Sequence, residues 1–312
     1  MTIAIQVCLL FISFVLLIKG ADIFVDGSAS LAKSLNVPSL IIGLTIVAFG
    51  TSAPELAVST TAAMQGSNEI AVSNVIGSNI FNLLVVLGSC ALFNSIPVES
   101  KVLKRDIPFS ILITAFLLAA SYKSDMIITR VIGIILLVLF VSYLGVLIYS
   151  SRHSDEQTEE GNSDNPLWKS ILFIVLGAAM IIIGGRFAVS SAKAIALAAG
   201  MSETLVGLTI IATGTSLPEL ITSIVAARKG EVSLAIGNAV GSNIFNVLLI
   251  LGVSSVIRSI QLTNESLLDM IALIGISVMT LVFAVSGKKI NRAEGAVMLF
   301  AYVAYVVFAA TR

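Results

Sequence analysis

The sequence predicts an all-α membrane protein of ten transmembrane helices, arranged as two inverted five-helix repeats, and three observations carry that prediction. The first is composition: of 312 residues, 57% are hydrophobic and 12% charged, with a mean hydropathy of +1.04. A soluble domain is about 45–50% apolar and about 25% charged. So little polar surface cannot coat a water-soluble shell, and disorder, which needs low hydrophobicity and high net charge, is excluded as well. The second observation is a series of ten apolar stretches. The third is a gapless internal repeat, the signature of a duplicated architecture.

The apolar stretches fall near 3–33, 38–65, 69–93, 106–121, 127–150, 167–197, 202–227, 231–256, 266–285 and 291–310, placed on the basis that a span requires ~20 mostly apolar residues. The first and sixth are longer than a bilayer needs, which implies tilt or ends that enter the interface. The first is read as a helix rather than a leader peptide, because it has no basic start and no small-residue cleavage site. One hydrophilic run, Ser151–Asn165 (SRHSDEQTEEGNSDN), separates a first repeat at 1–150 from a second at 167–312, with 151–166 as linker. Its five acidic residues lack the spacing of a calcium-binding loop and read as a solvated connection.

Residues 43–96 align with 207–260 at a constant offset of 164, and 28 of the 54 positions are identical. GLTIVAFGTSAPEL at 43–56 matches GLTIIATGTSLPEL at 207–220, and SNVIGSNIFNLL at 73–84 matches GNAVGSNIFNVL at 237–248. Five spans per half is an odd number, so the second half enters the membrane inverted. Inverted repeats are a construction of secondary transporters, which bind ions near the midplane where the halves meet. With the N-terminus outside, the inner loops hold eleven Lys and Arg against six on the outer side. That bias places both termini outside a multi-pass protein of the cell membrane.

Other function classes fit poorly. Formal net charge is zero, so no field attracts nucleic acid. Cys8 and Cys90 sit in apolar stretches as small hydrophobes, and the lone His153 lies in the linker. An intramembrane enzyme would need a base, and no His or Lys accompanies the repeated Ser and Glu. A channel builds its pore from symmetric subunits around one axis, whereas an inverted repeat in one chain suits alternating access. No cofactor and no obligate protein partner is expected; the partners are the lipid bilayer and the transported ions.

Within the spans Glu55 and Glu219 are the clearest carboxylates far from a helix end, and they are equivalent in the repeat. An ionisable group at that depth costs at least ~2.5–3.5 kcal/mol, and no Lys or Arg shares their apolar stretches. Two carboxylates facing each other repel unless a cation sits between them. Pro54 follows Gly50 at i+4, and Pro218 follows Gly214. Proline lacks an amide hydrogen and crowds the carbonyl four residues earlier, so helices 2 and 7 should break and free carbonyls around Ala48–Thr51 and Ala212–Thr215. Thr51 and Ser52 share a helical face with Glu55, as Thr215 and Ser216 do with Glu219. Ser78 with Asn82, and Ser242 with Asn246, form i, i+4 pairs in the following helices. The pooled donors are oxygens alone, which suit Ca²⁺, Mg²⁺ or alkali cations; a roomy site on broken helices favours Ca²⁺ and Na⁺. The glycines of Gly77-Ser78 and Gly241-Ser242 also suit close helix packing.

At these residues the sequence resembles the cation/calcium antiporter superfamily, most nearly its prokaryotic sodium/calcium exchangers. The two family repeats stand here as GTSAPE with GSNIFN and GTSLPE with GSNIFN, and the likeness covers essentially the whole chain. The resemblance implies a secondary antiporter exchanging Na⁺ for Ca²⁺ by alternating access, with helices 1 and 6 sliding across the remaining bundle. It implies calcium held by Glu55 and Glu219 with the carbonyls of Thr51 and Thr215. It implies overlapping sodium sites at Ala48, Ser52, Glu55, Ser78, Asn82, Ala212, Thr215, Ser216, Glu219, Ser242 and Asn246. Potassium-dependent relatives usually carry aspartate where this chain has Asn246, which argues against potassium co-transport. Proton/calcium exchangers of the superfamily generally lack the GTSxPE pair; a proton-coupled or broader divalent antiporter is the alternative. With Glu55 and Glu219 ionised and Asn246 neutral, calcium leaves the site neutral and three sodium ions leave one positive charge, so exchange should be electrogenic. Protons should compete with calcium for the same carboxylates.

Overall fold

Seven helices of the structure, a computed structural model describing residues 3–152, 166–201 and 212–311, are long and apolar enough to cross a membrane. A helix pair bent by 50° passes the same test together and counts as an eighth where the pair is one span. Nearly all of the hydrophilic linker, with His153, and residues 202–211 of the predicted seventh span lie outside the described residues.

The first half runs α1 (Ile3–Leu35), then α2 (Ser39–Thr51) and α3 (Ala53–Gln65) bent by 50° against each other, then α4 (Glu69–Phe93). Strand β1 (Ile96–Pro97), α5 (Ile107–Lys123), β2 (Ile127–Ile128) and α6 (Arg130–Arg152) complete it. The second half runs α7 (Leu167–Ala198), α8 (Ala212–Gly214), α9 (Leu217–Arg228), α10 (Val232–Ile257), β3 (Ile260–Gln261), α11 (Asn264–Gly287), β4 (Lys289–Ile290) and α12 (Arg292–Thr311). The two-residue strands escape a hydropathy reading. They pair antiparallel, β1 with β4 and β2 with β3, and so tie loops of one half to loops of the other.

The expected long helices are α1 and α7, of 33 and 32 residues. At ~1.5 Å per residue each is about 50 Å long, well beyond a ~30 Å hydrocarbon core. They pack antiparallel: a Cβ on Gly20 would meet Met180, one on Gly27 would meet Phe173, and one on Gly184 would meet Leu17. Ser170 Oγ donates to Ser30 Oγ at 2.9 Å within this seam. The α9–α10 loop holds α1 as well. Lys229 Nζ lies 2.6 Å from Asp22 and 2.7 Å from Asp26. Partial burial disfavours its charge, but these two carboxylates override that and hold the ammonium above its ordinary value.

Burial is reversed relative to a soluble protein. Large apolar side chains point outward, with Phe11 72% and Phe300 75% exposed, while α4 and α10 are enclosed and bring polar side chains to the centre. In hydrocarbon the outward residues lose nothing, and the polar ones must find partners inside. Two carboxylates on other helices do so. Asp106 accepts from Arg105 at 2.8 Å and from Tyr143 at 3.0 Å, and Asp269 accepts from Tyr305 at 2.9 Å.

Candidate functional site

The centre forms where α2 gives way to α3. Ser52 sits at the junction with φ −82° and ψ 5°, outside the helical basin, and Pro54 occupies the first turn of α3. Proline is tolerated there because that turn's amide has no helical partner. Ser216 repeats the conformation with φ −90° and ψ 6°, and Pro218 again enters the first turn. Glu55 and Glu219 therefore stand in the first turns of α3 and α9, where the helix dipole favours a negative charge. The opening is narrower than the predicted Ala48–Thr51 window, because the Ala48 carbonyl still accepts from the Ser52 amide at 3.0 Å. Gly50 is the carbonyl whose i+4 residue, Pro54, has no hydrogen to give. Ala212 opens α8, and its side chain lies outside the described residues.

The two glutamates are laced crosswise between the halves. Ser52 Oγ donates to Glu219 Oε1 at 3.0 Å, and Ser216 Oγ lies 3.1 Å from Glu55 Oε1. Ser78 Oγ donates to Glu55 Oε1 at 3.4 Å and lies 3.0 Å from Ser216 Oγ. Thr51, Ser52, Glu55, Ser78, Asn82, Ser216, Glu219, Ser242 and Asn246 are all buried, as is Ala48; Thr215 is half-buried.

What the site leaves unpaired is its chemical content. Among the described residues, the buried Oε2 atoms of Glu55 and Glu219, the Oδ1 atoms of Asn82 and Asn246, and Ser242 Oγ have no hydrogen-bond partner. No basic side chain pairs with either glutamate among the described residues. A buried acceptor without a donor costs about 1–3 kcal/mol, more if charged, and an ionised carboxylate so placed is untenable without a counter-charge. Asp106, also buried, differs in having both carboxylate oxygens bonded, to Arg105 and Tyr143. An arrangement of unpartnered carboxylate, amide and hydroxyl oxygens fits a hard cation, and oxygen ligands without nitrogen or sulfur among the described residues suit Na⁺ or Ca²⁺.

Sequence reasoning missed the residues that hold this centre together. Asn238 Nδ2 donates to the Glu219 carbonyl at 3.3 Å and to Ser223 at 2.9 Å, while its Oδ1 accepts from Thr51 at 2.9 Å. Asn74 does the same to the Glu55 carbonyl, Ser59 and Thr215, at 3.3, 2.9 and 3.3 Å. Each threonine hydroxyl is thus turned toward the opposite half. Both asparagines were repeated at the 164-residue offset, as were Ser59 and Ser223, and that identity was the available signal. Of the glycines expected to allow close packing, Gly241 does: a Cβ there would stand 2.8 Å from Leu44 Cα. At Gly77 no described atom lies within 4 Å of an added Cβ.

Comparison with known proteins adds to this geometry. The model of the sodium/calcium exchanger protein family matches residues 5–149 and 169–311. The chain is 42% identical to a candidate antiporter, CaxA, of Alkalimonas amylolytica, over 94% of this chain and 95% of that protein. It is 34% identical to the sodium/calcium exchanger MaX1 of Methanosarcina acetivorans, over 98% of both. Among solved structures it superposes on the sodium-calcium exchanger NCX_Mj soaked with 10 mM Na⁺ and zero Ca²⁺, with a TM-score of 0.87, 31% identity and 100% of each chain covered.

Proposed function

The chain belongs to the sodium/calcium exchanger family, a multi-pass membrane protein of the cation/calcium exchanger class, and from that premise we propose that it exchanges Na⁺ for Ca²⁺ by alternating access. The observation that carries the reading is the pair of buried glutamates, each bonded through Oε1 to a serine of the opposite half and each with Oε2 unpartnered among the described residues. In this reading Ca²⁺ bridges Glu55 and Glu219 with the main chain of Thr51 and Thr215. Sodium ions take overlapping positions built from Ala48, Ser52, Glu55, Ser78, Asn82, Ala212, Thr215, Ser216, Glu219, Ser242 and Asn246.

The same reading gives ten spans in two inverted halves, 1–150 and 167–312 around the 151–166 linker, with the second span (38–65) and the seventh (202–227) broken at the site. The antiparallel packing of α1 on α7 and the matched conformations of Ser52 and Ser216 support it. The protein lies in the cell membrane with both termini outside. Helices α1 and α7 slide together across the rest of the bundle. Either cargo permits the movement because either neutralises the carboxylates; two bare ones would cross the apolar seal at prohibitive cost.

Two experiments test the coupling ion. Vesicles loaded with sodium and diluted into sodium-free buffer should take up calcium, whereas potassium-loaded vesicles with an imposed pH gradient should not. The opposite pattern would move the protein to proton coupling. Because Asn246 is neutral, three sodium ions leave one excess charge, so uptake should respond to an imposed membrane potential; a flux indifferent to potential would refute electrogenic exchange.

A further inference from the structure

Besides Asn74 and Asn238, four asparagines bond to one another across the halves, Asn79, Asn82, Asn243 and Asn246, and only Asn82 and Asn246 belong to the ion site as proposed. Asn79 Nδ2 lies 3.1 Å from the main-chain carbonyl of Asn243, and Asn243 Nδ2 lies 3.1 Å from the main-chain carbonyl of Asn79. A carbonyl oxygen can only accept, so these two contacts fix which end of each amide carries the hydrogens. The remaining ends, Asn79 Oδ1 and Asn243 Oδ1, must then accept. Asn246 approaches Asn79 Oδ1 at 2.9 Å and Asn82 approaches Asn243 Oδ1 at 3.1 Å, each necessarily through Nδ2. By elimination the Oδ1 atoms of Asn82 and Asn246 point away from this ladder. Both are buried, and both lack a partner among the described residues.

We propose that Asn79 and Asn243 are positioning residues that set the amide oxygens of Asn246 and Asn82 toward the transported cation. Neither touches the ion; each works by occupying the amide nitrogen of its neighbour. The inference rests on the exchanger reading of the site. A carboxylate would need no such device, since its two oxygens are equivalent. An amide turned the wrong way presents hydrogens to a cation, so a neutral asparagine site works only when something decides its orientation. Burial makes the ladder effective, because a flipped amide enclosed by protein would set its hydrogens and oxygen against the wrong partners.

A double-mutant cycle separates orientation from packing. Calcium uptake into sodium-loaded vesicles is measured for the unaltered chain, Asn79→Leu, Asn246→Asp and the double variant. Asn79→Leu should raise the calcium KM about tenfold when Asn246 is intact, the loss expected when a buried polar group is left unsatisfied. In the Asn246→Asp background the same substitution should raise KM less than about twofold, or lower it, because a carboxylate has no wrong orientation and has no hydrogen to give Asn79 Oδ1. An equal effect in both backgrounds, or a loss confined to maximal rate, would show that Asn79 serves packing alone and would overturn the proposal. The mirror cycle of Asn243→Leu with Asn82→Asp carries the same two outcomes and replaces the first if Asn79→Leu fails to assemble. If the unaltered chain shows no sodium-driven uptake, the exchanger reading fails. Sodium-driven uptake with additive cycles sinks only the asparagine ladder.

Discussion

Gly177→Ala tests how tightly the proposed sliding pair is joined. Gly177 lies where α1 and α7 meet backbone to backbone. A Cβ there would stand 2.6 Å from both Cβ and N of Phe24 and 2.7 Å from the Gly20 carbonyl oxygen. Ordinary contact begins at 3.4 Å, so the helices must part by about 0.8 Å. Two of those three neighbours are backbone atoms, which no rotamer change can move aside. Overpacking of this kind costs about 1–3 kcal/mol, and separating the seam also strains the Ser30–Ser170 hydrogen bond. The assay is thermal melting in detergent beside initial rates of sodium-driven calcium uptake. Gly177→Ala should melt below the unaltered protein and exchange more slowly. Gly145→Ala is the control. No described atom lies within 4 Å of a Cβ at that exposed position in α6, and alanine there should be neutral or stabilise by up to about 1 kcal/mol. A Gly177→Ala protein that melts and transports like the unaltered one would refute the close crossing and the argument built on it.

Asn238→Ala removes one amide that serves Thr51, Ser223 and the Glu219 carbonyl at once, so it should cost about 1–3 kcal/mol, read as a lower melting temperature; an unchanged melt would mean that the interlock does not hold the bend. Acid should slow exchange by protonating Glu55 and Glu219 in competition with calcium, so raising calcium at low pH should restore the rate; inhibition that calcium cannot relieve would place the proton elsewhere. Lys229 does not create that acid limb. Its folded value is raised above 10.5, so its ion pairs are fully present below the unfolded value and lost only as pH rises through the folded one. Lys229→Met should therefore leave the acid limb in place, and a shift of that limb in this variant would contradict the assignment.

Much of the fold was legible because a bilayer imposes a simple rule. About 20 apolar residues make a span, and α1, α4, α6, α7, α10, α11 and α12 begin and end within a few residues of the stretches read from hydropathy. The candidate site was legible because duplication printed it twice, and Glu55 and Glu219 stood out as charges with no basic neighbour. The remainder depends on contacts that no local pattern announces. Asn82 and Asn246 each begin a π-helical turn, which shifts side chains off the 3.6-residue face and leaves no mark in composition. Asp106 and Tyr143 meet across 37 positions. Asn79 and Asn243 were visible as repeated letters, but counting oxygen donors does not reveal which way an amide faces. The Lys229 contact with Asp22 and Asp26 spans more than 200 residues and has no counterpart in sequence spacing.

The paired carboxylates are the central claim, and a single comparison tests them most directly. Sodium-loaded vesicles carrying the unaltered chain, Glu55→Gln or Glu219→Gln are diluted into sodium-free buffer containing labelled calcium, with vesicle incorporation matched by immunoblot. Glutamine preserves shape and one oxygen but removes the charge that balances the cation. Uptake by the unaltered chain alone, with both variants at the level of empty vesicles, is the result expected. Near-normal sodium-driven uptake by either variant would contradict a calcium ion bridged between Glu55 and Glu219.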